Sequence, residues 1–260
     1  MADIAGFRVP NAPIVEAIVD FRCDLSPALQ RGVFQSNAQK AFADKYPEFR
    51  TAFFQESQIA VAPGKQPKGF VRQGVRGFQS HSRDKKQIIQ SRFDGFSFNR
   101  LAPYSSLDDY LPEIQRCWEI YRDFANPVVI KRVALRFINR VHVPLKEGRT
   151  DLDLFLRVGP MVPADQLKLS LGGFTHNNQF VEPATGNVAN VVIATQKPIE
   201  ADGATKLILI LDIDVFKGVN FPPADWSAIA QVIASLRVLK NEIFQYTLTK
   251  ECLSSQPPSP

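Results

Sequence analysis

Cysteine is scarce in this chain: Cys23, Cys117 and Cys252 are odd in number, far apart and form no CxxC spacing. That excludes a disulfide scaffold, and the three read as reduced thiols in a cytosol. Histidine is equally thin. His81, His142 and His176 make no HxH or HExxH pattern, so the usual zinc sites are missing. No GxSxG supplies a nucleophile elbow, and Gly64, Gly69, Gly74 and Gly77 lack the GK[ST] and following helix of a phosphate loop. Long apolar runs are absent too. Leu207 to Leu211 is held between Lys206 and Asp212, far short of the roughly 20 residues a membrane helix needs. MADIAGFRVPNAP has neither a cationic start nor an apolar stretch, so no secretory signal is read there. The expectation is a cytoplasmic protein with no membrane partner.

What remains is an ordinary globular composition, with 45% apolar and 22% charged residues over 260 positions. That is enough chain for one generous domain or two compact ones of about 130 residues. Twenty Phe against two Trp and five Tyr promise a core of large non-polar rings. The net charge of +5 is unevenly spread. Between Lys65 and Arg100, nine basic residues face only Asp84 and Asp94, a balance of +7. Residues 126–143 add Lys131, Arg132, Arg136 and Arg140 without an acid, so the rest of the chain sums to −6. A basic block in an otherwise mildly acidic protein suggests an anionic partner or a solvated face.

Residues 14–23 alternate Val15, Ala17, Val19, Phe21 and Cys23 against Ile14, Glu16, Ile18, Asp20 and Arg22, which predicts a strand with the all-apolar set inward. Ser26-Pro27 then reads as a helix start, with Leu29, Val33, Ala41 and Phe42 on one face and Tyr46-Pro47 as the stop. Strands are expected near 51–62, 69–79, 85–93 and 95–101, punctuated by Gly and Pro. A second helix begins at Ser106 with a kink or restart at Pro112, and Asn126-Pro127 ends it. Residues 128–143 form the longest predicted strand. After it come a short helix near 151–158, strands near 166–174, 187–196 and 205–216, and a helix from about 224 to 246. The closing SSQPPSP reads as a disordered tail.

The fold class expected is α+β. Two similar halves, 1–126 and 127–250, each read as strand, helix, antiparallel strands and long helix, with 251–260 as the tail. That order resembles folds in which a curved antiparallel sheet grips a long helix, such as TATA-binding-protein-like and helix-grip domains.

Four blocks, NAPIVEAIVDFRC (11–23), FDGFSFNRLAPYSSLDDY (93–110), RVALRFINRVHVP (132–144) and LILDIDVF (209–216), resemble a sporadically distributed family of bacterial proteins of about this length. The resemblance implies a bacterial cytoplasmic origin and brings no activity, cofactor or catalytic residue with it.

Two constellations carry chemistry. Asp212 and Asp214 share one strand face, as do Glu16 and Asp20, and paired carboxylates of this kind suit Mg²⁺ or Mn²⁺. The blander reading makes them the solvent face of buried strands, paired with Lys or Arg. Arg132, Arg136, Arg140 and His142 line one face of the long strand, with Arg100 as a further anion-binding candidate from the basic block. Arginines four apart on a strand stand about 13 Å apart, which can follow a phosphate chain. Set against Asp212, Asp214 or Glu16, they would instead form a structural ion-pair network. Asn139 falls on the apolar face and needs a buried partner. Phe70, Phe78, Phe93, Phe96 and Phe98 interleave with the basic residues as in single-strand binders, although alternation with Ser97 and Asn99 turns the last two rings toward the core.

These readings leave three classes. The preferred one is a non-enzymatic binding or adaptor protein, with a protein partner or a homo-oligomer and no cofactor. The second is a nucleic-acid-binding module using the 65–100 block and Arg132, Arg136 and Arg140. The third is a phosphoryl-transfer or phosphohydrolase enzyme that needs Mg or Mn on Asp212 and Asp214.

Overall fold

A computed structural model of the chain describes residues 11–27, 29–60, 68–145, 150–158, 172–201 and 203–257, with 56–60, 68 and 70 as backbone only. The strands are β1 (Ile14–Leu25), β2 (Glu48–Ala60), β3 (Lys68–His81), β4 (Gln87–Arg92), β5 (Gly95–Leu101), β6 (Pro127–Pro144), β7 (Thr175–Val181), β8 (Val188–Ala201) and β9 (Ala204–Phe221). The helices are α1 (Arg31–Phe42), α2 (Leu107–Ala125), α3 (Trp226–Thr247) and α4 (Lys250–Ser254). All nine strands form one antiparallel sheet in the order β2-β3-β4-β5-β1-β6-β9-β8-β7. The protein is α+β, and β1 pairs with β6 in the middle of that sheet.

Alternation decides which face is buried. Val19 and Phe21 of β1, Leu135 and Phe137 of β6, and Ile213 and Val215 of β9 point to the helices and are nearly or fully buried. α1 lies over β3, α2 over β5, and α3 over β6 and β9. The rings gather beneath α1 and α2. Phe21 meets Trp118 edge-on at 5.0 Å, and Phe34 contacts Phe93 at 5.0 Å and Phe124 at 5.4 Å. Trp118 donates its indole N–H to Pro223 O at 3.0 Å, and Tyr121 its hydroxyl to Arg92 O at 3.0 Å. Large buried rings therefore keep their polar ends satisfied. Asn139, on the apolar face as expected, donates to Leu211 O at 2.9 Å and is buried.

Several sequence expectations need correction. Ser26 does not open α1; its carbonyl accepts from Leu29 N at 3.0 Å, so Ser26-Pro27 closes a turn, and the helix starts at Arg31 after Gln30. Its buried stripe is Phe34, Ala38 and Phe42, four residues apart, which leaves Val33 about half exposed. α2 runs from Leu107 through Pro112 to Ala125 without a restart, and Asn126 closes it in the left-handed conformation. In place of a helix near 151–158 there is a single 3-10 turn, Leu152–Leu154. The strand expected near 166–174 falls largely outside the described residues, and β7 lies beyond it, with His176 inside a strand rather than a turn.

The tail is also more ordered than expected. Thr249 caps α4, and Gln256 is buried against β6. Beyond Ile14, the first residue of β1, the Gln256 side-chain amide pairs with β6 in the manner of a neighbouring strand. Its Oε1 accepts from His142 N at 2.9 Å and its Nε2 donates to His142 O at 3.2 Å. Residues 258–260 lie outside the described residues.

Candidate functional site

The sheet face turned away from the helices gathers nearly all of the polar residues singled out from the sequence. Register explains how. Ile18 of β1 stands opposite Arg136 of β6, which stands opposite Asp214 of β9. One row along, Asp20 faces Ala134, and Ala134 faces Phe216. Directly paired residues share a face, so Glu16, Asp20, Arg132, Arg136, Arg140, His142, Asp212 and Asp214 all lie on this one.

Most of their charges are engaged with each other. Arg132 binds Asp214 in a fork, with Nη2 at 2.9 and 3.1 Å from its two oxygens, and reaches Asp20 Oδ1 at 3.4 Å. Its guanidinium stacks 4.2 Å from the Phe216 ring centroid. Arg136 grips Asp212 through Nε at 2.9 Å and Nη2 at 2.5 Å. The chain continues across β1 into β4. Arg92 donates to Asp20 Oδ2 at 2.6 Å and to Asp94 at 3.1 Å, and Arg22 meets Asp94 at 2.7 Å. Four guanidinium groups thus meet four carboxylates. Glu16 accepts instead from Asn99 Nδ2 at 2.6 Å, and Ser97 and Gln90 donate to Asn99 Oδ1 at 3.0 and 3.3 Å.

Burial sets the energetic weight of each member. The Arg92 side chain is only 6% exposed, against 47% for Arg136. Burial works against the Arg92 charge, but Asp20 and Asp94 hold it firmly protonated. Donating hydrogen bonds to Asp212 likewise strengthens the protonation of Arg136. Asp214 goes the other way: burial outweighs Arg132 and Arg136 and lifts its carboxyl above the ordinary range. The tight β4–β5 turn that delivers Arg92 and Asp94 depends on Gly95, whose φ is +145° and whose Cβ, if present, would lie 2.0 Å from Phe21 O.

Arg100 does not join this face. It has the parity of Phe96 and Phe98, so it points to the helix side, 5.2 Å from the Tyr110 ring, and donates to Pro103 O at 3.0 Å. Phe78, Phe96 and Phe98 are buried and Phe93 packs on the core, which removes them as stacking platforms for bases. Arg72, Arg76, Arg83 and Lys85 are exposed, while Lys65 and the side chains of Lys68 and Phe70 lie outside the described residues. Arg140 is exposed at the end of the polar face and makes no ion pair with a described residue. Among the described residues, no three His, Cys, Asp or Glu side chains converge on a metal position.

A second polar cluster, which motif reasoning missed, lies on the helix side. A cavity of about 650 Å³ is lined by Asp44, Lys45, Tyr46, Arg83, Gln87 and Glu113, among others. Tyr46 donates its hydroxyl to Glu113 at 2.9 Å, and Arg116 and Lys45 bind the same carboxylate. Burial acts against that carboxylate, yet the hydrogen bonds from Arg116, Tyr46 and Lys45 hold Glu113 down to about 2. Burial pushes the neighbouring Cys117 thiol up to about 12 and the Tyr46 phenol higher still. These contacts tie the segment after α1 to β4 and α2.

No helix among the described residues is long and apolar enough to cross a membrane. No family model matches the chain, and no curated protein matches it.

Proposed function

We propose that this protein is a non-enzymatic binding or adaptor protein whose open sheet face docks another protein. The carrying observation is the four-to-four ion-pair lattice of Arg22, Arg92, Arg132 and Arg136 with Asp20, Asp94, Asp212 and Asp214. A face neutralised from within offers fixed hydrogen-bonding groups and little free charge. Such a surface suits a polypeptide, because contact interrupts few strongly hydrated free ions and the side chains are already held in place.

Rival uses of the face call for groups that are engaged. A phosphate chain needs guanidiniums free to exchange counterions, and a divalent cation needs carboxylate oxygens that are not already forked by arginine. Arg140, exposed and without an ion pair to a described residue, marks the rim of the face.

A photo-crosslinking residue at Arg140, on the open face, is compared in the native cell with one at Tyr246, exposed on α3. One protein adduct of defined mass from position 140, absent at 246, is the expected result. Nucleic-acid adducts at 140, or the same adducts at both positions, would overturn the proposal.

A further inference from the structure

The two edges of the sheet differ in a way that points to a second copy of this chain. Edge strands expose unpaired N–H and C=O groups, and proteins guard them with charges, proline or bulges. β2 is guarded: it carries Glu48 and Arg50, and a register shift interrupts it between Ala52 and Phe53. β7 has none of these. Its sequence, Thr-His-Asn-Asn-Gln-Phe-Val, holds no Asp, Glu, Lys, Arg or Pro, and it pairs with β8 over seven residues without a shift. Among the described residues nothing pairs with its outer side. Phe180 and Val181 are 56% and 61% exposed, large apolar groups left at an otherwise polar edge.

The strand is also complementary to itself. Turned antiparallel about Asn178, it sets Asn178 against Asn178 of the second copy, Asn177 against Gln179, His176 against Phe180, and Thr175 against Val181. Two positions become amide pairs, one an aromatic pair and one a β-branched pair, each a favourable cross-strand combination. Both copies carry the same +5 net charge, and a strand without charge is where they can approach at least cost. A foreign strand would need no such symmetry, which is why the second copy is the favoured occupant.

We infer that the protein forms a two-fold symmetric dimer in which β7 pairs antiparallel with β7 of a second copy, centred on Asn178. The pairing joins two nine-stranded sheets into one and places the open faces side by side. It does not rest on the docking role of the open face, and either can fail alone.

Light scattering and sedimentation of the full chain test the assembly, and two cysteine variants test its register. The expected result is a dimer for wild type and a dissociation constant at least about tenfold weaker for Asn178→Lys, which sets two ammonium groups face to face. Under mild oxidation Asn178→Cys gives a covalent dimer, because the two copies of that position lie about 5 Å apart across the axis. Phe180→Cys does not, since its counterpart is His176. The native cysteines are buried and stay out of the reaction. Asn178 is exposed, so unchanged circular dichroism and melting of the variants is expected and removes misfolding as an explanation. A wild-type monomer at 100-µM-order concentration (~100 µM, a weak-dimer threshold), a dimer indifferent to Asn178→Lys, or equal crosslinking at 178 and 180 would overturn the inference.

Discussion

Asp20 is the acid whose removal should cost most. It receives Arg92 at 2.6 Å and Arg132 at 3.4 Å, and its own side chain is 16% exposed. Arg92, at 6% exposure, cannot turn to water once Asp20 is gone and keeps only Asp94, which is half exposed. Breaking a fully buried pair costs about 3–5 kcal/mol. Retention of Asp94 lowers the figure for Asp20→Ala to about 2–3 kcal/mol. With a urea slope of roughly 3 kcal/mol/M for a chain of this size, the midpoint should fall by about 0.8 M. Arg92→Met fills the space with an apolar chain and leaves Asp20 to Arg132 at 3.4 Å and Arg22 at 3.6 Å, so its cost should be smaller, about 1–2 kcal/mol. In the double variant the two losses should not add, with a coupling of at least about 1.5 kcal/mol. Fluorescence of Trp118, fully buried against Phe21, reports the transition. If Asp20→Ala moves the midpoint by less than 0.2 M (~0.5 kcal/mol), the lattice is a solvated surface and the reasoning fails.

Gln256→Ala leaves the His142 N–H and C=O without their side-chain partner and should cost about 1–3 kcal/mol, with faster amide exchange at His142. Unchanged exchange there would mean that the tail does not close the sheet. Glu113 is held at about 2 in the folded protein against an ordinary 4.5, so its stabilisation is complete above about pH 4.5 and lost as pH falls toward 2. The stability gap between wild type and Glu113→Gln should therefore close over that interval; a gap independent of pH would refute the assignment. Gly95→Ala puts a methyl group against Phe21 O at a positive φ and should destabilise by about 3 kcal/mol or more in thermal melting. A loss below 1 kcal/mol (~1 kcal/mol, an ordinary surface substitution) would show that the turn can shift.

Much of the fold was legible because period-two alternation is strong wherever one face is buried. β1, β6 and β9 fall close to their predicted ranges for that reason. β7 escaped because an exposed edge strand has no buried face to impose a pattern, and its polar sequence reads as a turn. The sequence pattern starts α1 too early because Val33 and Phe34 are both apolar, and only contact with the sheet decides which one is buried. The parity of Arg100 with Phe96 and Phe98 was readable and puts it on the helix side. Arg92 was different: nothing in its neighbours signals that a basic residue will be buried beside an acid 72 positions earlier. That pairing follows from the β4–β5–β1 register, a long-range property.

The most direct measurement is fluorescence anisotropy of labelled single-stranded RNA and double-stranded DNA, titrated at low and near-physiological salt with wild type and Arg136→Gln. With the guanidiniums of the open face spent on Asp20, Asp94, Asp212 and Asp214, the two proteins should give the same titration at both salt concentrations. Binding that weakens steeply with salt and is lost in Arg136→Gln would show that these arginines are free to hold phosphate, and would contradict a face neutralised from within.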